Sequence, residues 1–484
     1  MQLKSSTLRE NMKTRIIGSL LIMCLNFSTL TFAQDGRYWS ESYGNKSVLL
    51  NGAVNASVSD LGAVFYNPGR LGLIENPAFV VNARVYELST LKIEDGINEG
   101  VDLKQSNITG APSLAAGTFS LPFLKNHKFA YSFLTRQKTI ADFLINVEDE
   151  GDLIDAIPGE ELFNGTVNFN NTFKEEWIGL TWSLPISNKL SVGLSNFISN
   201  INKSSFINLD MNTLDEQNKV ASLDMIRKFR YKSYGFLWKM GVAMNFSSVD
   251  LGLTITTPRI NFNGTGSTHY GDYLVNIDST GDGNTDDVYI HNIQSKVNAN
   301  YKTPWAIGFG IGIHFKKGIL HLSGEWYDKV PKYTILETVP FVGQSTGDAM
   351  YFTVVDEMEA VINYGIGFEW NFNKRISAYA SFAIDFSGVT SNITHFAEFK
   401  SEAANSVFQT DFFKTGGGIS INSKKIDITL GLIYTGASQQ MKRLINFPDN
   451  GNDPIFDSGN TSTLTFSSWR FVLGLSIPFA EKDE

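Results

Sequence analysis

Apolar residues alternate with small or polar residues along many stretches of this chain. From Trp305 to Phe315 the odd positions are all apolar, while the even positions carry Ala, three Gly and His. The same alternation runs through 234–246, 362–372 and 471–479. Because successive side chains of a β-strand point to opposite faces, each stretch is predicted to be a strand with one apolar face.

Fourteen such stretches between residues 78 and 479 predict an all-β fold, a transmembrane antiparallel β-barrel of about fourteen strands. A soluble sandwich also alternates, but here the apolar faces are opposed by Gly, Ser, Asn and Asp rather than by Lys and Glu. Short turns are predicted at 124–128, 187–189, 247–249, 316–319, 371–374 and 422–425. Longer polar loops are predicted near 91–111, 140–171, 204–227, 263–296, 334–355, 389–405 and 439–462. Since outer-membrane barrels have short periplasmic turns, this order predicts that both termini are periplasmic.

The first residues have the pattern of an export signal. Lys13 and Arg15 precede an apolar stretch over 16–25, and Ala33 stands at a cleavage position suited to small residues. A helix that crosses a bilayer needs about 20 apolar residues, so this stretch is too short to span. We therefore expect export to the bacterial outer membrane. The predicted divisions are a signal peptide over 1–33, an N-terminal plug over 34–77, the barrel over 78–479 and a periplasmic tail over 480–484.

Composition narrows the function classes. The formal net charge is −9, which argues against nucleic acid as a partner. The single cysteine, Cys24, lies inside the predicted signal, so the mature protein would have no disulfide or thiolate site. Lipoprotein processing at Cys24 is an alternative, disfavoured by Met23 where a small residue is expected. No Gly-x-Ser-x-Gly elbow or His-rich zinc motif occurs, so we expect no enzyme activity and no required cofactor.

Residues 34–77 do not alternate. They contain small residues such as Gly52, Ala53 and Ala56, which suit helices in a confined space. Glycines on the predicted lumen face of the wall, as in 308–312, leave room for a packed object. We expect a small helical plug inside the lumen; the alternative is a periplasmic extension beneath the barrel.

The segment 56–68, which ends in Val-Phe-Tyr-Asn-Pro, resembles the hatch of the FadL/TodX-type outer-membrane transporters of hydrophobic compounds. Asn67 and Pro68 match the family's Asn-Pro-Ala motif, whereas Gly69 replaces its Ala and Arg70 replaces its Gly. Beyond this segment the likeness is one of architecture. The resemblance implies passive uptake of long-chain fatty acids or aromatic hydrocarbons past a luminal hatch, with Asn67, Pro68, Gly69 and Arg70 as its motif.

Two other functions are open: a barrel that acts as a protein-binding platform or secretion-system shuttle, and a polar porin. Apolar residues of the long loops are candidates for ligand entry, namely Phe341, Met350, Phe352, Phe396 and Phe399. The same residues would suit a secreted or surface protein partner. A porin is least favoured because a plug would close a water channel. Membrane lipid and lipopolysaccharide are expected partners of any such barrel.

An acidic loop has the spacing of a calcium site. Its candidate metal ligands are Asp278, Thr280, Asp282, Asn284 and Asp286, with Gly283 at the sixth position. Tyr289 stands where the bidentate Glu of such a loop belongs, so a solvated acidic turn is the alternative. The bound Ca²⁺ would order an external loop.

His314 and His321 are a second candidate. If 317–318 is a two-residue hairpin turn, the two rings lie directly opposite each other on the lumen face, with Glu325 further along. No third metal ligand is evident nearby, so polar lining is favoured over a metal site.

Overall fold

The computed structural model describes residues 37–74, 79–97, 99–110, 112–153, 157, 159–278, 284–388, 402–406, 410–423, 426–443, 445, 447 and 459–477. The predicted signal over 1–33 and tail over 480–484 lie outside these residues. Three short helices come first: a 3₁₀ helix over Ser47–Leu50, α1 over Ala63–Tyr66 and a 3₁₀ helix over Pro68–Leu73. None of the described helices is long and apolar enough to cross a membrane.

Twenty-two strands follow within the described ranges. They are β1 Phe79–Glu94, β2 Leu103–Thr109, β3 Pro112–Phe119, β4 Lys128–Gly151, β5 Glu161–Ser187, β6 Leu190–Asp215, β7 Val220–Asn245, β8 Val249–Thr256, β9 Ile260–Ile277, β10 Asp286–Asn298, β11 Ala306–Phe315, β12 Gly318–Tyr327, β13 Val330–Leu336, β14 Phe341–Val342, β15 Ala349–Met350, β16 Thr353–Met358, β17 Val361–Asn371, β18 Ile376–Asp385, β19 Glu402–Ala404, β20 Phe412–Ile421, β21 Asp427–Lys442 and β22 Thr461–Ile477.

The main sheet closes on itself as an antiparallel barrel. Seventeen of the described strands belong to it, and β1 pairs with β22 from Phe79↔Ile477 to Glu94↔Thr463. Three positions around the wall are each filled by two strands. Strands β2 and β3 both pair with β1, and β8 and β9 both pair with β7. In the next position β10 pairs with β9 and β11 pairs with β8. Seventeen strands therefore fill fourteen positions, as predicted. Closure pairs the first strand of the wall with the last, and closed barrels of this kind can cross a bilayer.

The wall has an apolar outer face near the end with the short turns. On β11 the side chains of Ile307 and Phe309 are exposed, whereas Gly308 and Gly310 face inward and are buried. The same pattern continues around the barrel and forms a belt of exposed apolar side chains. We call this surface the apolar belt; its members include Ile178, Leu180, Ile198, Phe236, Met240, Leu253, Ile366 and Phe368.

The prediction of a long loop is wrong for three regions. The regions 140–171, 204–227 and 263–296 are mostly strand, because β4 to β7 and the pair β9 and β10 continue far past the apolar belt. Strands β4 to β7 have 24, 27, 26 and 26 residues. About 9–11 tilted residues are enough to span a bilayer. The wall therefore extends well beyond the belt at the end opposite the short turns.

The hydrophobic pattern changes face where the belt ends, which explains the error. On β5, Ile178 and Leu180 are exposed on the outer face. Further from the belt, Phe169 and Phe173 are buried on the inner face, while Asn170 lies on the outer face. Apolar and polar residues alternate in both regions of β5, but the apolar residues occupy even positions in the belt and odd positions beyond it. The outer part of the barrel thus has an apolar interior and a polar exterior, like a soluble protein.

A small lid, residues 330–358, lies at the extended end of the barrel. Strand β16 pairs with β13 antiparallel and with β19 parallel, and β14 pairs with β15 in a hairpin. Lid residues Leu336 and Val354 belong to one buried cluster with Phe229 and Tyr231 of β7. The lid therefore packs against the inner face of the extended wall.

Candidate functional site: the plug and the lumen cavity

Residues 37–74, which we call the plug, lie inside the barrel. Asp60 organises its turns: the carboxylate accepts hydrogen bonds from the backbone N–H of Lys46, Ser47 and Gly62 at 2.6, 2.9 and 2.8 Å. The Ser47 hydroxyl adds a fourth bond at 3.1 Å. Such bonds hold a chain that has little regular helix of its own.

Glycines on the wall allow this backbone to approach closely. A Cβ at Gly310 would lie 2.7 Å from the Ala56 backbone N, and one at Gly367 would lie 2.8 Å from Leu50. The contact at Gly310 is with backbone, so this position excludes a side chain, whereas at Gly367 the end of the Leu50 side chain would have to move. The lumen-facing glycines thus leave space that the plug fills.

Asn67 fixes the plug to the wall with both ends of its amide. Its Oδ1 accepts from the Gly69 N–H at 3.0 Å and so caps the 3₁₀ helix, which has Pro68 at its first position. Its Nδ2 donates to the Asn55 and Val242 carbonyls, both at 3.0 Å. The side chain is fully buried. The motif thus joins two parts of the plug to β7.

The two departures from the hatch motif have structural explanations. A Cβ at Gly69 would lie 2.8 Å from the Gly241 carbonyl oxygen, so this approach to β7 requires glycine. The Arg70 guanidinium donates to the Val58 carbonyl at 3.2 Å and lies 3.7 Å from Asp250 on β8, with both side chains buried. Burial lowers the pKa of Arg70, and the Asp250 carboxylate opposes that shift. The added charge is therefore paired with the wall.

Ionic groups also join the plug to the closing strands. Arg470 of β22 lies 3.0 Å from Glu87 of β1 and 3.3 Å from Glu41 of the plug. It also donates to the Ser40 carbonyl at 3.1 Å. One guanidinium thus holds β1, β22 and the plug together, and its planar shape suits several acceptors at once.

A cavity lies between the plug and the lid. Phe65 of the plug lines it, Trp177 and Phe173 of β5 line its wall, and Met358 and Asn405 line it near the lid. Its aromatic rings would bury an apolar ligand.

Charged groups in this cavity are held by fixed partners. Lys239 lies 3.0 Å from Glu325, which also accepts from the Tyr327 hydroxyl at 2.6 Å and the Trp39 indole N–H at 2.9 Å. The Arg136 guanidinium lies 5.6 Å from the centres of both the Phe65 and the Trp177 rings. The cavity therefore combines aromatic surface with a positioned set of charges.

The alternation of the sequence did not predict that Arg136, Glu175 and Lys239 line this cavity. Arg136 faces the lumen at a bulge between Thr135 and Gln137 on β4, which changes the parity of inward residues. A charged residue within an alternating strand is the sequence signal that could have identified Arg136 as a residue of the lumen.

A second cavity lies beside a break in the wall. Strand β3 pairs with β4 only over Leu114–Phe119, and in the described ranges β2 forms no backbone ladder with β4. The Asp142 N–H donates to Gln105 Oε1 across this seam at 2.8 Å. Arg37 and Thr139 line both cavities, so the two spaces adjoin.

The predicted entry residues that the structure describes lie in the lid, and none of them lines either cavity. Phe352 is 2% exposed and packs 5.7 Å from the Tyr270 ring, and Phe341 lies 5.6 Å from the same ring. Met350 is half-buried against this cluster. Phe396 and Phe399 lie outside the described residues. Their role in ligand entry stays a prediction.

The calcium loop is only partly described. Asp278, Asn284 and Asp286 are described, and Thr280 and Asp282 lie outside the described residues. Within the described ranges, no group of three His, Cys, Asp or Glu side chains is placed to hold a metal ion. Calcium binding by this loop stays a prediction.

The predicted pairing of the two histidines is wrong. The turn is 316–317, so His321 lies opposite Gly312 and His314 lies opposite Ile319. His321 Nδ1 lies 2.6 Å from the Ser57 hydroxyl of the plug. His314 Nε2 lies 2.9 Å from an Asp250 oxygen. Both rings therefore act as polar lining that connects the wall to the plug and to β8.

Comparison with known proteins shows which solved structures have a similar fold. No family model and no curated protein matches the chain. Among solved structures, a FadL homologue from Pseudomonas aeruginosa has a TM-score of 0.52 at 12% identity, and the Pseudomonas putida toluene transporter TodX has 0.54 at 11%. Each comparison covers 93% of this chain and 100% of the other. The Ralstonia pickettii toluene transporter TbuX has a TM-score of 0.51 at 13% identity, over 91% of this chain and 99% of its own.

These values confirm the predicted fold class. The chain is an antiparallel barrel of the FadL and TodX type with a small helical element at its N-terminus.

Proposed function

We propose that this protein is an outer-membrane channel for passive uptake of hydrophobic small molecules, such as long-chain fatty acids or aromatic hydrocarbons. The observation that carries the proposal is the cavity that the plug closes on the side of the short turns and that Phe65, Phe173 and Trp177 line. A concave site with this aromatic lining suits a small apolar ligand. In this proposal the short turns and both termini are periplasmic, and the plug acts as the hatch.

The break between β2 and β4 supports a lateral route for the ligand. The second cavity lies beside this seam, and Thr139 adjoins both cavities. On β4 the exposed Phe133 belongs to the apolar belt, and the seam begins just beyond it. A ligand in this proposal passes between the outer leaflet and the lumen without crossing the lid.

Filling the cavity tests the proposal. Thr256 lines the cavity, and its hydroxyl has no hydrogen-bond partner among the described groups. We expect Thr256→Trp to weaken binding of a radiolabelled fatty acid or toluene by about tenfold or more, equal to about 1.4 kcal/mol, and to slow uptake into proteoliposomes. The matched control, Thr256→Val, preserves the space and should bind as the unsubstituted protein does. Equal binding by both variants would contradict the proposal.

A protein-binding platform is the second candidate. The observation that favours it is the extension of β4 to β7 beyond the apolar belt, which exceeds what a membrane-spanning strand requires. Uptake that does not depend on the protein, together with a secreted protein that co-purifies from the native cell envelope and is lost when the extension is shortened, would favour the platform.

A further inference from the structure

A row of basic side chains lies on the outer face of β7, just beyond the apolar belt. Lys228, Arg230 and Lys232 are exposed, whereas the residues between them, Phe229 and Tyr231, are buried. Alternate residues of a strand are about 6.7 Å apart, so the row is about 13 Å long. Three positive charges therefore share one face of the wall.

The row continues directly from the belt. Phe236 is exposed and lies in register with Ile198 of β6, which in turn pairs with Ile178 of β5. Tyr234 follows Phe236 on the same face, and Lys232 comes next. Aromatic residues mark the interface of a membrane, and phosphate headgroups lie immediately outside the hydrocarbon. The first cation is thus at the height of the headgroups.

The strands on either side leave these charges uncompensated. Lys228, Arg230 and Lys232 belong to no ion pair among the described residues. Their cross-strand neighbours carry no carboxylate: β6 presents Asn202, Ser204 and Phe206, and β9 presents Thr265, Ser267 and His269.

Two contacts hold the row in place. Arg230 Nε donates to the Ser267 hydroxyl at 3.1 Å, which leaves its terminal nitrogens for other acceptors. The Lys228 ammonium lies 5.5 Å from the centre of the Phe206 ring. By contrast, Lys174 on β5 is paired with Glu176 at 2.6 Å. The row is therefore a partly ordered cationic surface open to an external anion.

We propose that Lys228, Arg230 and Lys232 bind the phosphate groups of an outer-leaflet glycolipid whose acyl chains contact the apolar belt beside Phe236. Guanidinium and ammonium groups are the common ligands of phosphate, and juxtamembrane cations bind anionic headgroups. The adjoining Phe206 ring offers a surface for a sugar ring. This inference rests on the proposed outer-membrane location, but not on ligand uptake.

Native mass spectrometry of the full-length barrel in detergent tests the site, with bisphosphorylated lipid A as the probe. We expect the triple variant Lys228→Gln, Arg230→Gln, Lys232→Gln to bind this lipid at least about tenfold more weakly. The matched control, Lys316→Gln, Lys317→Gln, Arg375→Gln, removes the same charges from exposed positions at the short turns. It should bind as the unsubstituted protein does. Heat-dependent gel mobility checks that each variant is folded.

Two further probes separate the possible sources of phosphate. Dephosphorylated lipid A should bind weakly to the unsubstituted protein and show no difference between the variants. Inorganic pyrophosphate should compete only at much higher concentration than the lipid. Undiminished binding of lipid A by the triple variant, equal binding of dephosphorylated lipid A, or equally strong binding of pyrophosphate would each overturn the proposal. None of these outcomes depends on uptake of a hydrophobic ligand, so the proposed function is judged separately.

Discussion

At the residue scale, the structure shows why one side chain of the plug is difficult to replace. Asn67 donates to the Asn55 and Val242 carbonyls and accepts from the Gly69 N–H, and it is fully buried. A buried polar group that loses its partner costs about 1–3 kcal/mol. The three bonds act on the plug rather than on the barrel ladders. Their loss should therefore loosen the plug without unfolding the wall.

We expect Asn67→Ala to increase hydrogen exchange of residues 47–74 by one to two orders of magnitude, roughly what 1–3 kcal/mol implies. Asn67→Asp preserves the acceptor for Gly69 but places a carboxylate oxygen against the two carbonyls, so it should loosen the plug at least as much as Asn67→Ala. Exchange in β10, at the extended end of the barrel, should not change. A uniform increase over plug and wall would show that Asn67 stabilises the whole barrel instead.

A glycine of the wall gives a second prediction. A Cβ at Gly241 would meet Asn67 Oδ1 and would lie 2.8 Å from Pro68 Cδ. Gly241→Ala should therefore displace the plug and lower stability by about 1–3 kcal/mol, as overpacking does. Gly417→Ala is the matched control, because its Cβ would meet only one atom, at 3.3 Å. Limited proteolysis within 37–74 measures the effect, and equal cleavage of both variants would contradict it.

The sequence predicted Asn67 and Pro68 as a motif because the motif is local, and their functional role stays a prediction. It could not predict the pairing of Arg70 with Asp250, since that contact depends on how the plug sits against β8. The same holds for His321, whose partner Ser57 is on the plug. Contacts between distant segments require a register and a pose that periodicity alone does not supply.

At the element scale, strand number and short turns followed from alternation, whereas strand length did not. Alternation identifies a strand only while one parity remains apolar. On β5 the apolar residues change from odd to even positions between Phe173 and Ile178. At Ile178 the apolar side chains point outward to lipid, whereas at Phe173 they point inward to the apolar interior of the extended wall. Where the alternation continues but the apolar residues move from one face of the strand to the other, the change marks the edge of the membrane rather than the end of a strand.

The seam between β2 and β4 gives a prediction at this scale. The Gln105 side chain accepts a hydrogen bond from the Asp142 backbone N–H across it. The mature chain is expected to contain no cysteine, so a Gln105→Cys, Asp142→Cys pair can be joined selectively by a short bis-maleimide. We expect the crosslink to reduce uptake of a hydrophobic ligand severalfold, while each single variant with the same reagent remains active. Unchanged uptake by the crosslinked protein would exclude the seam as the route.

At the scale of the whole molecule, the plug fills the lumen below the cavity. Wall glycines and buried ionic contacts with Asp250 and Arg470 adapt the lumen to this one segment. The wall itself is held by backbone ladders that close through β1 and β22. Since these ladders do not involve the plug, the barrel should remain folded without it, while the polar and glycine-rich surface beneath the cavity becomes accessible to water.

Deletion of residues 34–75 tests this division between wall and plug. We expect the deleted protein to retain the gel mobility of a folded barrel and to conduct ions in a planar bilayer, whereas the full-length protein conducts little. Uptake should also lose selectivity, because water and small polar solutes would pass along the emptied lumen as readily as an apolar ligand does. Full-length protein carrying Thr256→Val, which should behave as the unsubstituted protein does, controls for effects of purification and reconstitution. A deleted barrel that folds but does not conduct would show that the wall and lid close the lumen by themselves, and the plug would then not be the hatch.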